Sequence, residues 1–187
     1  MLTTYIGFDI ETTSTDPNKG EILTLGAVNF QTGAEKYLEF RHQGLWIVPQ
    51  AIEVNKIDVA SLHRTGVPYD EGDSELLAWL NEQSSLIKAL GLNVGSFDIP
   101  YLKGRLPLSY KRFGYRFVDI NSLLEARALV EGKSFDLVSR LVFPQADEWA
   151  KAKKPELHKH HALYDCYTAC YAFALLTDRE QEWMALG

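Results

Sequence analysis

The chain has 187 residues, of which 46% are hydrophobic and 24% charged, so its length and composition fit one globular domain with a substantial core. Its formal net charge of −6 argues against a broad basic surface that grips duplex phosphates, although an acidic metal site would itself carry charge that bound cations offset. No stretch reaches the ~18 apolar residues of a membrane helix. Residues 1–4 have neither a basic region nor an apolar run, so we expect no signal peptide, no membrane partner and a cytoplasmic location.

An acidic pair ends the first predicted strand. The apolar run at residues 5–10 predicts a buried strand, and the polar residues 12–17 end it. Because side chains alternate between the two faces of a strand, Asp9 and Glu11 point the same way while Ile10 points into the core. Neighbouring carboxylates repel unless a proton or a cation lies between them, and hard divalent cations take such oxygen ligands. The pair alone fits a solvated strand end and a magnesium site equally well.

The second and third predicted strands continue from the first as an antiparallel meander. Residues 22–30 and 36–40 read as strands, and the glycine-containing turn between them is typical of a hairpin. After an extended piece, residues 50–63 predict one or two short helices with a break at Asn55 and Lys56. The chain therefore opens with strands, and the acidic pair lies on the first of them.

A helix and a short strand are predicted next, and an aspartate follows them. Residues 70–90 have the period of an amphipathic helix, and Gly91 lies where glycine commonly ends one. Residues 92–95 then read as a short strand. Ser96 is a favourable residue for a helix N-terminus, which places Asp98 at the start of a helix, just past the end of that strand.

Strands alternate with helices in the rest of the chain. Residues 117–120 predict a strand that leads into a helix at residues 121–130, and residues 135–141 predict a further helix. Residues 145–159 are polar and predict an irregular segment, after which a long apolar helix spans about residues 161–176. Strands followed by alternating strands and helices predict a mixed sheet flanked by helices, which is an α/β layer fold.

Two further aspartates add to the acidic pair. Asp165 lies early in the last predicted helix, on a largely apolar face where an unpaired buried carboxylate would be costly. Asp98, taken alone, fits a residue that merely favours the positive end of its helix. Four acids thus occur at three places along the chain, namely one strand end and two helix starts.

Three short motifs occur in order along the chain. Residues 8–13 contain Asp-x-Glu-Thr, residues 93–102 contain Phe-Asp after a small-residue strand end, and residues 160–165 contain His-x-Ala-x-x-Asp. In this order and at this spacing they resemble the DnaQ-like, DEDDh family of 3′–5′ exonucleases, within the ribonuclease H-like superfamily. Residues 48–57 are similar to the family's segment between the first two motifs. Residues 55–56, Asn-Lys, stand where the family usually has His-Gly, a departure that could alter substrate contacts.

The resemblance implies a fold, a reaction and a substrate. The fold would be ribonuclease H-like, with a central mixed five-stranded sheet whose first three strands are antiparallel and whose others are parallel, in a single exonuclease domain over residues 1–187. The reaction would be two-metal hydrolysis of phosphodiesters at the 3′ end of single-stranded nucleic acid, releasing nucleoside monophosphates. We favour DNA over RNA, with an exoribonuclease or short-oligonucleotide nuclease as the alternative. A polymerase or other replication or repair partner fits the family, and no nucleotide cofactor is expected.

The resemblance also assigns roles to the acids. The cofactors would be two divalent cations, Mg²⁺ or Mn²⁺, about 3.5–4 Å apart. Asp9 would bridge both, Glu11 and Asp165 would hold the one that carries the attacking water, and Asp98 would support the other, largely through waters. The base would be His160, because the unperturbed pKa of histidine, near 6.5, suits proton transfer from that water.

Two neighbouring histidines compete for the role of base. His161 is four residues before Asp165, so on a continuous helix the two share a face. His160 matches the family motif, but it can act only if it lies in the loop before the helix and turns toward the acids. The tyrosine-bearing sister branch of the family has tyrosine at the position of His161, so that branch does not fit. We expect His160 to be the base, with His161 as the alternative.

Substrate contacts follow from the family only by analogy. The 3′-terminal base and hydroxyl would be seated by residues near the first strand's end and on neighbouring elements, namely Thr12, Thr13, Leu25, Ala51 and Phe97. The lysines between residues 151 and 159 read as a solvated loop, or alternatively as contacts to the substrate backbone, since they lead into the third motif.

Two hypotheses of other classes stand beside the exonuclease. One is a non-catalytic nucleic-acid-binding module on the same fold, against which the intact set of acids argues. The other is a zinc protein built on His158, His160 and His161 with Cys166, although their spacing fits no familiar ligand pattern. Cys166 and Cys170 lie four residues apart in a helical pattern, which is typical of buried core thiols.

Overall fold

The computed structural model describes residues 3–83 and 86–185. The expectations for residues 1 and 2, and for residues 84 and 85 of the predicted helix at 70–90, therefore lie outside the described residues. The strands are β1 (Thr4–Thr12), β2 (Ile22–Asn29), β3 (Glu35–Glu39), β4 (Ile87–Gly91) and β5 (Phe117–Asp119). The helices are α1 (Pro49–Asn55), α2 (Val59–Thr65), α3 (Tyr69–Glu82), α4 (Asp98–Arg105), α5 (Pro107–Phe113), α6 (Ile120–Glu131), α7 (Phe135–Lys153), α8 (Ala162–Leu176) and α9 (Glu180–Met184).

The five strands form one mixed sheet in the order β3-β2-β1-β4-β5. Strand β2 pairs antiparallel with β1 and with β3, whereas β4 pairs parallel with β1 and with β5. The predicted fold, an antiparallel meander of three strands extended by parallel strands and flanked by helices, is confirmed. In the described part of the chain, no helix is both long and apolar enough to cross a bilayer.

The two faces of the central strand β1 enter different layers of the core. Ile6, Phe8 and Ile10 are buried with residues of α3, α4 and α5 on one side of the sheet. The opposite side is covered by α8, with α6, α7 and α9 around it. Because side chains alternate, Asp9 and Glu11 face the α8 side, which confirms that Ile10 points into the core and that the two acids share a face.

Helix α8 packs directly against the backbone of the sheet because two strand residues have no side chain. A Cβ atom added to Gly7 would lie 2.6 Å from the Cys170 Sγ, and one added to Gly26 would lie 2.6 Å from the backbone carbon of Ala162. Gly26 is the register partner of Asp9. The first turn of α8 is therefore held directly over the acidic end of β1, and this brings Asp165 to that end.

The predicted helix at residues 70–90 is wrong in its second half. Helix α3 ends at Glu82, and apolar residues further on form the parallel strand β4, which lies between β1 and β5. A parallel strand buried on both faces is a nearly continuous apolar run, and the spacing of its residues cannot be told from that of a helix. The strand predicted at residues 92–95 is a turn instead, in which Asn93 has φ of 52°. Helix α4 begins after Phe97 rather than Ser96.

The predicted irregular segment at residues 145–159 is also wrong over most of its length. Helix α7 continues through Pro144 to Lys153. Its buried residues recur every four positions, at Val138, Val142, Ala146 and Ala150, while the polar residues between them face solvent. Polar composition thus marked the exposed face of a helix and not a loop.

Gly26→Ala tests the close approach of α8. The added methyl group meets backbone atoms of α8, which cannot rotate away, so we expect a loss of about 1–3 kcal/mol in the free energy of unfolding, measured by urea denaturation. Gly104→Ala is the matched control, because Gly104 lies in a helix with nothing within 4 Å of the new methyl group. The free energy of unfolding of this variant should be unchanged or slightly higher than that of the wild type. Equal stability of the two variants would contradict the account.

Candidate active site

Four acids from three elements meet at the C-terminal end of β1. Asp9 and Glu11 come from the strand itself, Asp98 from the first turn of α4, and Asp165 from the first turn of α8. The parallel strand β4 ends beside β1, so the connection to α4 returns at the same edge of the sheet. The charges of Asp98, Asp165 and Glu11 each act on Asp9. The structure therefore brings together the four acids that the sequence motifs single out.

Asp98 is the most deeply placed of these carboxylates. Its side chain is 1% exposed, and its Oδ1 accepts a hydrogen bond of 3.1 Å from the backbone N–H of Ile10. That bond ties the start of α4 to the stretch of β1 between the two strand acids. Burial raises the pKa of Asp98, while the backbone N–H groups of Asp98 and Ile10 oppose the rise.

His160 lies in the turn before α8 and faces the acids. Its backbone is left-handed, with φ of 64°, and its N–H donates a bond of 3.0 Å to the Asp165 Oδ2. Ligand atoms of Glu11, His160 and Asp165 all lie within 4.8 Å of one another. The condition set by the sequence argument, that His160 must lie in a loop and turn inward, is met.

His161 occupies a different place. It is the residue before the first turn of α8 and has an extended backbone, so it does not share a helix face with Asp165. Its ring stacks on Tyr37 with 4.7 Å between the ring centroids. The histidine-rich zinc site finds no support either, since the described residues hold one group of three metal-ligand candidates, and it contains neither His161 nor Cys166. Cys166 is fully buried, and burial raises the pKa of its thiol.

The site concentrates negative charge that the chain itself does not neutralise. Burial, followed by the charges of the neighbouring acids, raises the pKa of Asp9 well above its usual range. Burial and the charges of Asp165 and Asp98 raise the pKa of Glu11 to about 8. Burial raises the pKa of Asp165 to about 6, against the opposing hydrogen bond from His160. At neutral pH such a group of carboxyls retains protons unless cations replace them.

The donor set fits hard divalent cations. Carboxylate oxygens are the ligands that Mg²⁺ and Mn²⁺ prefer, and among the described residues none of the four acids forms a salt bridge. Asp9, Glu11, Asp98 and Asp165 are the residues that would hold the ions. His160, within 4.8 Å of Glu11 and Asp165, remains available at the rim of the group.

Asn55 is a supporting residue that sequence reasoning noticed only as a departure from the family pattern. It is 3% exposed, and its Nδ2 donates a bond of 3.2 Å to the carbonyl oxygen of Thr12. Its Oδ1 accepts from the backbone N–H of Ile57, which fixes the orientation of the amide. A hydrogen bond from this amide lowers the pKa of Glu11. Asn55 therefore holds Glu11 toward its charged form, which is the form that binds cations.

A cleft of about 660 Å³ opens beside the acids. Asp9, His160 and Asp165 lie on one part of its wall, together with Lys159. An apolar part of the wall comes from the β4–α4 turn, α7 and α8, and its members include Leu92, Phe143, Pro144 and Ala169. A cleft with convergent polar groups on one side and apolar surface on another is typical of a ligand site.

The residues expected from analogy to contact substrate surround the same end of β1. Thr12, Thr13 and Leu25 are buried, whereas Ala51 and Phe97 are partly exposed. The Thr12 hydroxyl donates to the carbonyl oxygen of Ser14, and the Thr13 hydroxyl accepts from the Glu21 N–H. Their roles stay predictions.

The lysines between residues 151 and 159 have different tasks. Lys151 donates to the carbonyl oxygens of Pro155 and Leu157, and Lys154 pairs with Glu35. Both side chains therefore stabilise the connection between α7 and α8. Lys159, by contrast, lines the cleft, so it is the lysine of this stretch that a substrate in the cleft would meet.

Comparison with known proteins agrees with this geometry. Residues 6–173 match the family RNase_T, which is described as exonuclease. No curated protein sequence matches the chain significantly.

Solved structures of the same fold include E. coli exonuclease I in complex with a dT13 oligonucleotide, with a TM-score of 0.71 and 16% identity over 98% of this chain and 43% of that one. The zinc-bound form of the E. coli exonuclease I–ssDNA complex has a TM-score of 0.71 and 16% identity over 99% and 42%. Exonuclease I from Methylocaldum szegediense has a TM-score of 0.68 and 17% identity over 96% and 41%. This chain spans less than half the length of these neighbours, and at such identities the likeness shows the fold.

The raised pKa of Glu11 predicts how the stability of the metal-free protein depends on pH. The folded protein retains a proton up to about pH 8, whereas the unfolded chain releases it near the ordinary value of 4.5. Folding therefore binds protons in this range, and the free energy of unfolding must fall as pH rises. We expect the melting temperature in chelator to decrease between pH 7.5 and 8.5, because the two histidines with lowered pKa are almost entirely neutral there in the folded and in the unfolded chain and do not oppose the effect of Glu11.

Two comparisons check the origin of this decrease. Adding Mg²⁺ should restore most of the stability at pH 8, because cations replace the missing protons. Glu11→Gln, which cannot ionise, should flatten the decrease in chelator. A melting temperature that rises from pH 7.5 to 8.5 in the wild-type protein would contradict the assignment of a retained proton to Glu11.

Asn55→Leu tests the support of Glu11. Removing the amide should weaken Mn²⁺ binding by about 10–100-fold in calorimetric titration, as is typical when a group that supports a metal ligand is lost. Asn55→His, which keeps a ring N–H donor at the same position, should recover part of the affinity. Wild-type Mn²⁺ affinity in a folded Asn55→Leu protein would show that the amide acts only on the fold.

Proposed function

Because this chain belongs to the RNase_T exonuclease family, in its DnaQ-like DEDDh branch, we propose that it is a 3′–5′ exonuclease that hydrolyses phosphodiester bonds at the end of single-stranded DNA and releases nucleoside monophosphates. The observation that carries the proposal is the meeting of Glu11, His160 and Asp165 within 4.8 Å beside Asp9 and Asp98, at the mouth of a cleft. The family supplies the reaction class, and the charge of the site supplies the need for cations.

Each acid has a distinct task in this proposal. Asp9, on the strand, would contribute ligands to both cations, Glu11 and Asp165 would hold the first, and Asp98 would support the second. When bound, two Mg²⁺ or Mn²⁺ ions would stabilise the charge that develops on the attacking and leaving oxygens. The hydrogen bonds from Ile10 to Asp98 and from His160 to Asp165 keep these carboxylates in place.

His160 is proposed to take the proton from the attacking water. Burial, followed by the positive charges of Lys159 and His158, lowers the pKa of His160, so its ring is neutral at physiological pH and can accept a proton. Its left-handed backbone turns it away from the axis of α8 and toward Glu11 and Asp165. His161, stacked on Tyr37, lacks that access.

The choice of DNA rests on the structural neighbours. Exonuclease I structures of the same fold were determined with a dT13 oligonucleotide and with single-stranded DNA, although this chain spans less than half their length. The terminal nucleotide would contact the segment after β1 at Thr12 and Thr13, with Leu25, Ala51 and Phe97 around it. RNA is the alternative, because carboxylates that act on a phosphate do not read the sugar.

The decisive assay follows end-labelled single-stranded DNA and RNA of matched sequence with Mg²⁺, with Mn²⁺ or with chelator. We expect metal-dependent shortening from the 3′ end, faster on DNA. Asp9→Ala should abolish it, and His160→Ala should reduce the rate by about 10²–10⁴-fold, the usual contribution of a general base. His161→Ala is the matched control and should stay within tenfold of the wild type.

Three outcomes would contradict parts of the proposal. Intact strands under every metal condition would contradict an exonuclease and favour the binding module. Activity that survives His160→Ala but is lost in His161→Ala would move the base to His161. Faster shortening of RNA than of DNA would identify RNA as the preferred substrate, while the proposed roles of the site residues would still hold.

A further inference from the structure

Lys56 has a backbone conformation that its side chain disfavours. It follows the last residue of α1 with φ of 57° and ψ of 24°, and its N–H donates a bond of 2.8 Å to the carbonyl oxygen of Ile52. A left-handed residue after a helix is most often glycine, since a Cβ atom adds steric strain there. The family pattern has Gly at this position, yet this chain has Lys. Strain that persists at a site invites a functional explanation.

The place of Lys56 in the fold puts it at the edge of the acidic site. The preceding residue, Asn55, is buried against Thr12 and holds Glu11, so the end of α1 is fixed to the end of β1. The side chain of Lys56 is exposed, and its positive charge is felt by His160. Asn55 is therefore buried against the acidic site, whereas the next residue, Lys56, has an exposed and positively charged side chain.

The ammonium group of Lys56 has no carboxylate partner among the described residues. The salt bridges found in those ranges involve other lysines, such as Lys36 with Glu75 and Lys154 with Glu35. Lys159 is the second lysine whose charge acts on His160, and it reaches the cleft from the turn before α8. The charges of two lysines from separate segments, Lys56 after α1 and Lys159 before α8, thus act on the histidine of a strongly acidic group.

We propose that Lys56 binds a backbone phosphate of the single strand whose 3′ end occupies the acidic site, and that it does so independently of base and sugar. This inference rests on the proposed function. A phosphodiester that approaches four carboxylates is repelled, and a lysine at the rim lowers that cost as a compact point charge. Compared with glycine at this position, lysine would thus lower the stability of the fold and raise the affinity for the substrate.

Kinetic measurements on four variants test the proposal. Lys56→Gly and Lys56→Asn remove the charge with residues that tolerate the left-handed conformation, whereas Lys56→Arg keeps the charge. Lys111→Asn is the matched control, because Lys111 is an exposed lysine of α5, which contributes no residue to the acidic site or the cleft. Each protein is assayed on a short oligothymidylate at saturating Mg²⁺ over a range of salt concentrations.

The two neutral variants should raise KM by roughly three- to tenfold with kcat nearly unchanged, as expected for the loss of one phosphate contact. The slope of log(kcat/KM) against log[salt] should become shallower by about 0.7, the value for one contact to a single strand. Lys56→Arg and Lys111→Asn should match the wild type. Lys56→Gly should also melt about 2–4 °C higher, because strain is relieved, so weaker binding cannot be attributed to misfolding.

Substrates with one neutral methylphosphonate linkage identify the contacted phosphate. The neutral linkage is moved inward from the 3′ end, one position at a time. At one position it should raise the KM of the wild type as much as Lys56→Asn does, and it should add nothing to the KM of that variant. At the other positions the two effects should multiply.

The outcomes separate this inference from the proposed function. Wild-type shortening together with an unchanged KM and salt slope in both neutral variants would overturn the role of Lys56 and leave the exonuclease intact. Effects that multiply at every linkage would overturn it as well, since Lys56 would then contact no particular phosphate. A wild-type protein that leaves single strands intact would overturn both.

Discussion

The close approach of α8 to the sheet is the constraint on which the rest of this structure depends. Gly7 and Gly26 have no side chains where the helix crosses β1 and β2, so the backbone of α8 comes within contact distance of the strands. Asp165, in the first turn of that helix, is consequently delivered to the strand end that carries Asp9 and Glu11. Larger residues at the two glycines would lift the helix and separate the acids. The absence of a side chain at these two glycines therefore allows both the packing of α8 and the assembly of the acidic site.

Once assembled, the acidic group is a source of instability that the surrounding chain only partly offsets. Hydrogen bonds reach three of the four carboxylates, from the Asn55 amide to Glu11, from the Ile10 N–H to Asp98 and from the His160 N–H to Asp165. Burial still raises all four pKa values, and repulsion from other members of the group adds to the rise for Asp9 and Glu11. Such a group is stable when protons or cations complete it, which is the property that a cation-dependent enzyme needs. The lysines at its rim would, as proposed, lower the repulsion that an anionic substrate meets.

The sequence predicted the position of a residue correctly where that position follows from its neighbours along the chain or from the family motifs. Strand alternation predicted the shared face of Asp9 and Glu11, and the family motifs predicted that Asp98, Asp165 and His160 would join them. It failed where spacing fits two structures, as in β4, whose doubly buried apolar run was interpreted as helix. It failed again at α7, whose solvent face was interpreted as a loop. The hydrogen bond of Asn55 was beyond its reach, because it depends on a contact between α1 and β1 that only the folded chain contains. The strain at Lys56 was missed as well, because it depends on where α1 ends.

The central claim is that α8 and β1 together form one site for divalent cations. The most direct test is a titration of the metal-free protein with Mn²⁺, in which electron paramagnetic resonance measures the concentration of the free ion at each step. We predict about two bound ions per chain in the wild type and the loss of at least one in Asp165→Asn, with the fold retained. Full Mn²⁺ binding in Asp165→Asn, or none in the wild type at millimolar concentrations, would show that the acids gathered here do not act as a metal site.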